Sequence, residues 1–240
     1  MDVIPQEGNI MISKRLKVLA NYLENPINFA DIGSDHAYLP TYVCNNNTGA
    51  RAIAGELNKG PLERAAQTVR ENSLEDQIEV RQGNGLEVIT PGEVNQVVIA
   101  GMGGKLIKKI LESGREKLEG VTRLILQPNL DAPLVRKWLH QHSYNITNEE
   151  IIEEDGYIYE LIVADHVIEP VHLSEKSYLF GPFLMEKKGE VFRNKWISEL
   201  DKRTRLVNQM KQATNTPDDK IHHLQHEITL IKEVLDYDYR

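Results

Sequence analysis

Five short apolar runs, each followed by a stretch of helical periodicity, constrain this chain more than any other feature. They are residues 27–32 (INFADI), 52–56 (AIAGE), 78–82 (IEVRQ), 94–101 (VNQVVIAG) and 122–127 (TRLILQ). Strands alternating with helices cover both faces of a sheet, so the pattern predicts a mostly parallel, doubly wound α/β sheet. Ahead of the first run, Leu16, Leu19, Ala20 and Leu23 recur at helical spacing behind Ser13, which predicts a capped amphipathic helix over 13–24 that ends near Asn25-Pro26. Pro61, ahead of LERAAQTVREN, and Asp131 with Pro133, opening APLVRKWLHQH, stand where a first helical turn tolerates proline. The last two strand-like runs, NITNEEIIEEDG and YIYELIVAD, meet at Asp155-Gly156, a hairpin signal.

A shift in composition near His166 to Pro170 divides the chain into residues 1–168 and 169–240. In the second part Ile197, Leu200, Thr204 and Val207, then Ile221, Leu224, Ile228, Ile231 and Leu235, keep a 3,4 spacing on either side of Asn215 to Asp219. Two such helices back to back predict an α-helical coiled-coil hairpin. The formal net charge of -8 is unevenly divided: residues 1–170 hold 16 Lys/Arg against 25 Asp/Glu, and residues 171–240 hold 12 against 11. Between Lys187 and Lys211 eight basic residues (Lys187, Lys188, Arg193, Lys195, Lys202, Arg203, Arg205, Lys211) face three acidic ones, a stripe suited either to phosphates or to simple solvation. Cys44 is the single cysteine, which excludes an intramolecular disulfide and a thiolate zinc site. No stretch reads as a secretory signal or a membrane span, so the expected location is the cytoplasm, with no membrane partner.

In an open α/β sheet, ligands bind beyond the carboxyl ends of the strands, and each of the first four loops there is unusual. The first is Asp31-Ile32-Gly33-Ser34-Asp35-His36-Ala37-Tyr38-Leu39-Pro40. Gly33 lets the backbone approach a ligand, and Asp35 stands where a dinucleotide fingerprint would carry glycine. A pyrophosphate would meet that carboxylate unfavourably; an ammonium group would not. Glu56 closes the second run, where an acidic side chain accepts from ribose hydroxyls, and Leu57 follows it. Gly83-Asn84-Gly85 follows the third run, with Asn84 suited to an adenine edge and the glycines equally suited to an ordinary turn. Ala100-Gly101-Met102-Gly103-Gly104 follows the fourth, as backbone laid against a ligand or as a tight packing corner. Asp, Glu, Asn and a Gly-Met-Gly-Gly turn in register describe a pocket for a nucleoside bearing an amino-acid tail, the shape of S-adenosyl-L-methionine. The antiparallel hairpin after a parallel sheet fits a class I methyltransferase, although other Rossmann variants share that order.

The strings ADIGSDHAYLP, AIAGELNKGPLERA, VRQGNGLEVI, IAGMGGKLI, RLILQPN and GPFL resemble the TrmK family of bacterial tRNA (adenine(22)-N1)-methyltransferases, from about Lys14 to the carboxyl terminus. The resemblance implies a class I methyltransferase Rossmann-like sheet with a C-terminal coiled-coil domain. It also implies S-adenosyl-L-methionine as methyl donor and tRNA as partner. Cofactor-binding positions fall on Asp31, Gly33, Asp35, His36, Glu56, Leu57, Gly83, Asn84, Gly101 and Met102; at Asn84 relatives often carry aspartate. Adenine N1 has a free lone pair, so catalysis is expected to be mostly positioning. By location, Asp31, Tyr38 and Asn129 are the candidates for a catalytic acceptor near the exocyclic amine. Tyr38 is equally suited to pack, and Asn129 to cap the next helix. The target base is expected to be extruded into a pocket. No metal is expected, because His140, His142, His222 and His226 lack an HExxH or cysteine context. The sequence leaves the oligomeric state open, a monomer being compatible with this layout. Competing readings are a methyltransferase for another RNA, DNA or protein, a non-catalytic RNA-binding scaffold, and an NAD-binding regulator, which Asp35 disfavours.

Overall fold

A computed structural model describes residues 12–212 and 218–236. Ser13 caps the first helix, α1 (Lys14–Asn21), its hydroxyl accepting the Leu16 N–H at 3.2 Å, and Leu19 is buried beneath it. The chain then forms β1 (Asn28–Ile32), α2 (Tyr38–Asn46), β2 (Arg51–Glu56), α3 (Lys59–Glu71), β3 (Ile78–Gln82), β4 (Gln96–Gly103), α4 (Gly104–Ser113), β5 (Arg123–Leu130), α5 (Ala132–Gln141), β6 (Tyr144–Glu154) and β7 (Tyr157–His166).

These seven strands form one sheet in the order β3-β2-β1-β4-β5-β7-β6. β1 to β5 are parallel, and β7 lies antiparallel between β5 and β6. The continuous apolar runs are explained by burial on both faces: Ala30, Ile32, Val97 and Ile99 enter one core, while Phe29, Val98 and Ile125 enter the other. Strand order reverses between β1 and β4, which opens a crevice there. Asp155 (φ +52°) and Gly156 (φ +77°) make the tight turn expected between β6 and β7.

β4 outlasts its apolar run. It continues to Gly103, with pairing irregular around Met102, and α4 starts at once at Gly104, so the glycine segment is strand rather than loop. Gly101, at φ +75°, is the residue whose backbone makes that irregularity.

Beyond the sheet come α6 (Glu175–Phe180), α7 (Pro182–Lys187), α8 (Glu190–Gln212) and α9 (Asp218–Val234). Residues 213–217, most of the expected Asn215–Asp219 turn, lie outside the described residues. α8 and α9 run antiparallel, since Arg203 pairs with Glu227 while Lys188 pairs with Asp236. Their shared core is Phe192, Trp196, Leu200, Leu230, Ile231, Val234 and Leu235, closed by Phe180 and Leu184 and by Ile151 of β6. The expected seam is displaced at its start: Ile197 is 39% exposed and Thr204 is exposed, because the bulky Trp196 takes the inward position and turns its neighbour out.

Where these helices meet the sheet, Arg136 of α5 is wholly buried. It donates to Glu149 (2.7 Å) and Glu160 (2.6 Å), and Lys195 of α8 also pairs with Glu160. Several of the stripe's cations are likewise engaged: Lys187 with Glu150, Lys188 with Asp236, Lys202 with Glu199, and Arg203 with Glu199 and Glu227. Among the described residues only Arg193, Arg205 and Lys211 of the stripe have no carboxylate within ion-pair distance, so the open basic surface is narrower than its sequence suggests. No helix among the described residues is long and apolar enough to cross a membrane.

Candidate active site

The loop after β1 alternates into the left-handed region at Gly33 (φ +73°), Asp35 (φ +55°) and Ala37 (φ +56°), costly conformations for the two L residues. A Cβ on Gly33 would also meet the Met102 methyl group from β4, at the flexible end of that side chain. The turn sets Ser34 Oγ 2.6 Å from Asp31 Oδ2, to which it donates. Asp31 is buried, and its carboxyl is pushed up to about 6. Burial is the main cause and nearby Glu56 adds to it, while the Ser34 hydrogen bond and the Arg15 charge pull the other way.

Glu56 ends β2 with its carboxylate buried at the same opening. Oε1 accepts the Asp35 N–H at 2.5 Å and Oε2 accepts the Leu57 N–H at 3.2 Å. The Glu56 carbonyl accepts the Gly83 N–H at 2.9 Å, so one residue ties together the loops after β1, β2 and β3. Leu57 is exposed beside it, and Asn84 is exposed with its N–H donated to Glu87 Oε2 at 3.0 Å.

On the other side of the crevice the Gly101 peptide is held from both ends by β5. Gln127, fully buried, accepts the Gly101 N–H on Oε1 at 3.0 Å and donates from Nε2 to Asn129 Oδ1 at 2.8 Å. Asn129 Nδ2 in turn donates to the Gly101 carbonyl at 2.9 Å. Asn129 is therefore no helix cap; the cap position of α5 belongs to Asp131. Gln127 Oε1 takes a further hydrogen bond from Arg15 Nη1 of α1 at 2.9 Å.

Tyr38 opens α2 and is 42% exposed, its ring stacked on His36 at 5.1 Å between centroids. His36 Nδ1 lies 2.9 Å from an Asp35 carboxylate oxygen but out of line for a hydrogen bond. Arg64 reaches its other ring nitrogen at 3.4 Å. Thus hydrogen bonds join Asp35, Glu56 and Gly83 on one side and Gly101 and Asn129 on the other, Gly33 approaches Met102 between them, Asp31 holds Ser34, and His36, Tyr38, Leu57 and Asn84 belong to the same loops. Sequence reasoning missed Ser34, Gln127 as an anchor, and Arg15. A glutamine ending the apolar run RLILQ is the one signal available for Gln127, and Arg15 had none, since helical periodicity records only which face is apolar. A separate 430 Å³ cavity lies at the opposite, amino-terminal edge of the strands, beside Arg81 and its partners Glu79 and Glu93, away from these loops.

The donor set fits a nucleoside with a cationic amino-acid tail: a strand-end carboxylate with lone pairs to spare, apolar Leu57 and Met102, and a buried carboxylate whose one side-chain hydrogen bond among the described residues comes from a hydroxyl. The sheet order and this crevice define a Rossmann-like, S-adenosyl-L-methionine-dependent methyltransferase. The model of the family described as tRNA (adenine(22)-N(1))-methyltransferase, TrmK, matches residues 29–233. The chain belongs to that family. It is 45% identical over 237 residues to the Bacillus subtilis enzyme of that name, covering 96% of this chain and 99% of the relative. The crystal structure of B. subtilis TrmK superposes with a TM-score of 0.88 at 44% identity, over 94% of this chain and 99% of that one. A Streptococcus pneumoniae relative solved in complex with S-adenosyl-L-methionine superposes with a TM-score of 0.84 at 39% identity, over 94% of this chain and 100% of the other.

Proposed function

We propose that the protein methylates N1 of adenine 22 in tRNA, with residues 1–168 as the catalytic domain and 169–240 as a helical domain that contributes to tRNA binding. The observation that carries this reading is the four-loop crevice at the strand-order reversal, where Asp31 and Glu56 are buried side by side with few protein partners. Bound there, S-adenosyl-L-methionine supplies an electrophilic methyl group on a sulfonium.

The chain's own task is positioning. Glu56 accepts from ribose hydroxyls, Asn84 and Leu57 border the adenine of the cofactor, and Asp31 neutralises its cationic tail. Tyr38 offers an exposed aromatic face on which an extruded base stacks. Asn129 Oδ1 uses one lone pair on Gln127 and keeps the other for the exocyclic amine of the target, whose donor strength rises as N1 becomes cationic. The N1 lone pair is free at neutral pH, so no strong base is assigned. Lys108 and Lys109, on α4 just past the glycine segment, have no ion pair among the described residues; with Arg193, Arg205 and Lys211 they supply cations for phosphates.

The test is incubation with labelled cofactor and unmodified tRNA, followed by nucleoside mass spectrometry. The expected product is 1-methyladenosine, formed equally well with EDTA present, because N1 attack on a sulfonium needs no Lewis acid. Only 6-methyladenosine, or loss of activity on chelation, would sink the assignment.

A further inference from the structure

Exposed apolar side chains are gathered at one edge of the sheet. Tyr38 after β1, Leu57 after β2, Leu106 in the first turn of α4, Leu130 at the end of β5 and Tyr157 after the β6–β7 turn all stand at the carboxyl edge, around the crevice. Such a gathering marks a contact surface, whereas exposed leucines scattered singly do not. Leu130, 73% exposed, is the most open of the five and directly follows Asn129.

The main chain holds Leu130 out. It is the last paired residue of β5, in register with Gly103 of β4, and Asp131 then turns into the left-handed region (φ +58°) to open α5. Gly104 packs so closely beneath it that a Cβ there would stand 2.8 Å from the Leu130 carbonyl oxygen and closer still to that of Asp131. Along the edge, β4 and α4 lie to one side of Leu130, and β6 with α1 to the other. Cations stand on both sides. Lys108 and Lys109 of α4 have no ion pair among the described residues. Across from them, Glu154 at the end of β6 accepts the backbone N–H groups of Lys14 and Arg15 at 2.5 and 3.2 Å, pinning the start of α1, where the Lys14 side chain is exposed.

An apolar tip on fixed backbone between positive flanks matches a base stack with phosphates on either side of it. We propose that Leu130 is the wedge that fills the gap left in the tRNA base stack when the target adenine is extruded toward Asn129. The proposal rests on the reading of the protein as a tRNA adenine-N1 methyltransferase. A second copy of this chain is the other apolar surface Leu130 would meet, and the experiment separates the two.

Full-length protein saturated with S-adenosyl-homocysteine is mixed with tRNA carrying 2-aminopurine in place of the target adenine, whose fluorescence rises as the base unstacks, and methylation of unmodified tRNA is followed in parallel. Leu130→Ala is expected to lower kcat by roughly 10- to 100-fold, the worth of one lost base contact, and to remove most of the fluorescence rise, with KM for tRNA within about 3-fold of wild type. Leu130→Met, which keeps an apolar tip, is expected to restore both, as a merely structural defect would not require. An unchanged kcat in Leu130→Ala, a full fluorescence rise, or a loss confined to tRNA affinity overturns the wedge. A change in the sedimentation of the free protein on substitution makes Leu130 a contact between copies, and the proposal fails. Wild-type methylation without a fluorescence rise overturns base extrusion and the wedge together. Wild-type protein that forms no 1-methyladenosine in tRNA overturns the proposed function itself, and thermal melts confirm that each variant is folded.

Discussion

Asp31 and Glu160 are both carboxylates taken out of water, and the molecule treats them in opposite ways. Burial alone would raise both. At the seam between sheet and helices, Lys195 and Arg136 more than offset it and hold Glu160 below the ordinary carboxylate range. Arg136 stays charged despite its burial because Glu149 and Glu160 surround it, and the pairing is strong enough to lower Glu160 but not Glu149, which burial still holds above the ordinary carboxylate range. At the crevice, the Ser34 hydroxyl is the one hydrogen-bond partner of the Asp31 carboxylate among the described residues, and its carboxyl rises to about 6. A carboxylate held by buried cations, like Glu160, fixes shape, whereas one met by little more than a hydroxyl, like Asp31, is prepared for a cation that arrives from outside.

The largest effect should come from breaking the compensated side. Arg136→Ala leaves Glu149 and Glu160 buried without their shared cation, and unfolding in denaturant should show a loss of about 3–5 kcal/mol. A loss below about 1 kcal/mol would mean that water or movement relieves the cluster, and the contrast with Asp31 would collapse.

On the other side the sign reverses. Because the Asp31 pKa in the fold lies above its value of 3.8 in the free chain, the folded state holds the proton more tightly. Its stabilisation is complete below about 3.8 and is lost as pH rises through about 6. The ionised side chain at pH 7.5 therefore costs up to roughly 3 kcal/mol, and Asp31→Asn should raise the unliganded melting temperature while weakening the cofactor. Cofactor affinity of the wild type should climb from pH 5 to about 6 and level off above 7, with proton release measured by calorimetry in buffers of different ionisation enthalpy. A melting temperature lowered by Asp31→Asn at pH 7.5 would show that the carboxylate is not strained.

Glu56→Gln is a sharper probe than alanine, since Glu56 also anchors the Asp35 and Leu57 N–H groups. It should weaken cofactor binding by about 1.5–3 kcal/mol with folding intact, and an unchanged calorimetric affinity would place the ribose elsewhere. The smallest effect is expected on the hairpin. Reversing Arg193, Arg205 and Lys211 to glutamate should lower tRNA affinity and flatten its salt dependence in filter binding, without moving cofactor affinity. Lys195 is unsuitable for that test, because its partner is the buried Glu160.

Elements whose periodicity comes from burial were legible in the sequence. The five apolar runs became β1 to β5 because both faces of the sheet are covered, and Asp155-Gly156 became the turn between β6 and β7 because both residues take positive φ there. Of the crevice, the glycines and acidic strand ends could be read, since the loops that carry them follow strands. The partners could not. Gln127 and Asn129 clasp the Gly101 peptide across a strand pair, and Arg136 meets Glu149 and Glu160 through tertiary contacts that no spacing encodes. Charges in a sequence are read as solvated by default, which hid the seam and made the hairpin stripe look more open than it is. At Ile197 the buried face is offset by one residue from the heptad spacing, because a tryptophan outcompetes an adjacent isoleucine for the inner position.

The pinning of α1 by Glu154 also sets an order of events during synthesis. The residues that share those hydrogen bonds are 139 and 140 positions apart, so the pinning of α1 by Glu154 is made only after more than half of the chain has followed that helix. Loops after β1 to β4 are made early, but the contact that holds Arg15 at the crevice is made late. A nascent chain arrested before β6 emerges would therefore hold the pocket without its pinned first helix, and the step that seats that helix is the long-range closure between the two ends of the sheet's sequence.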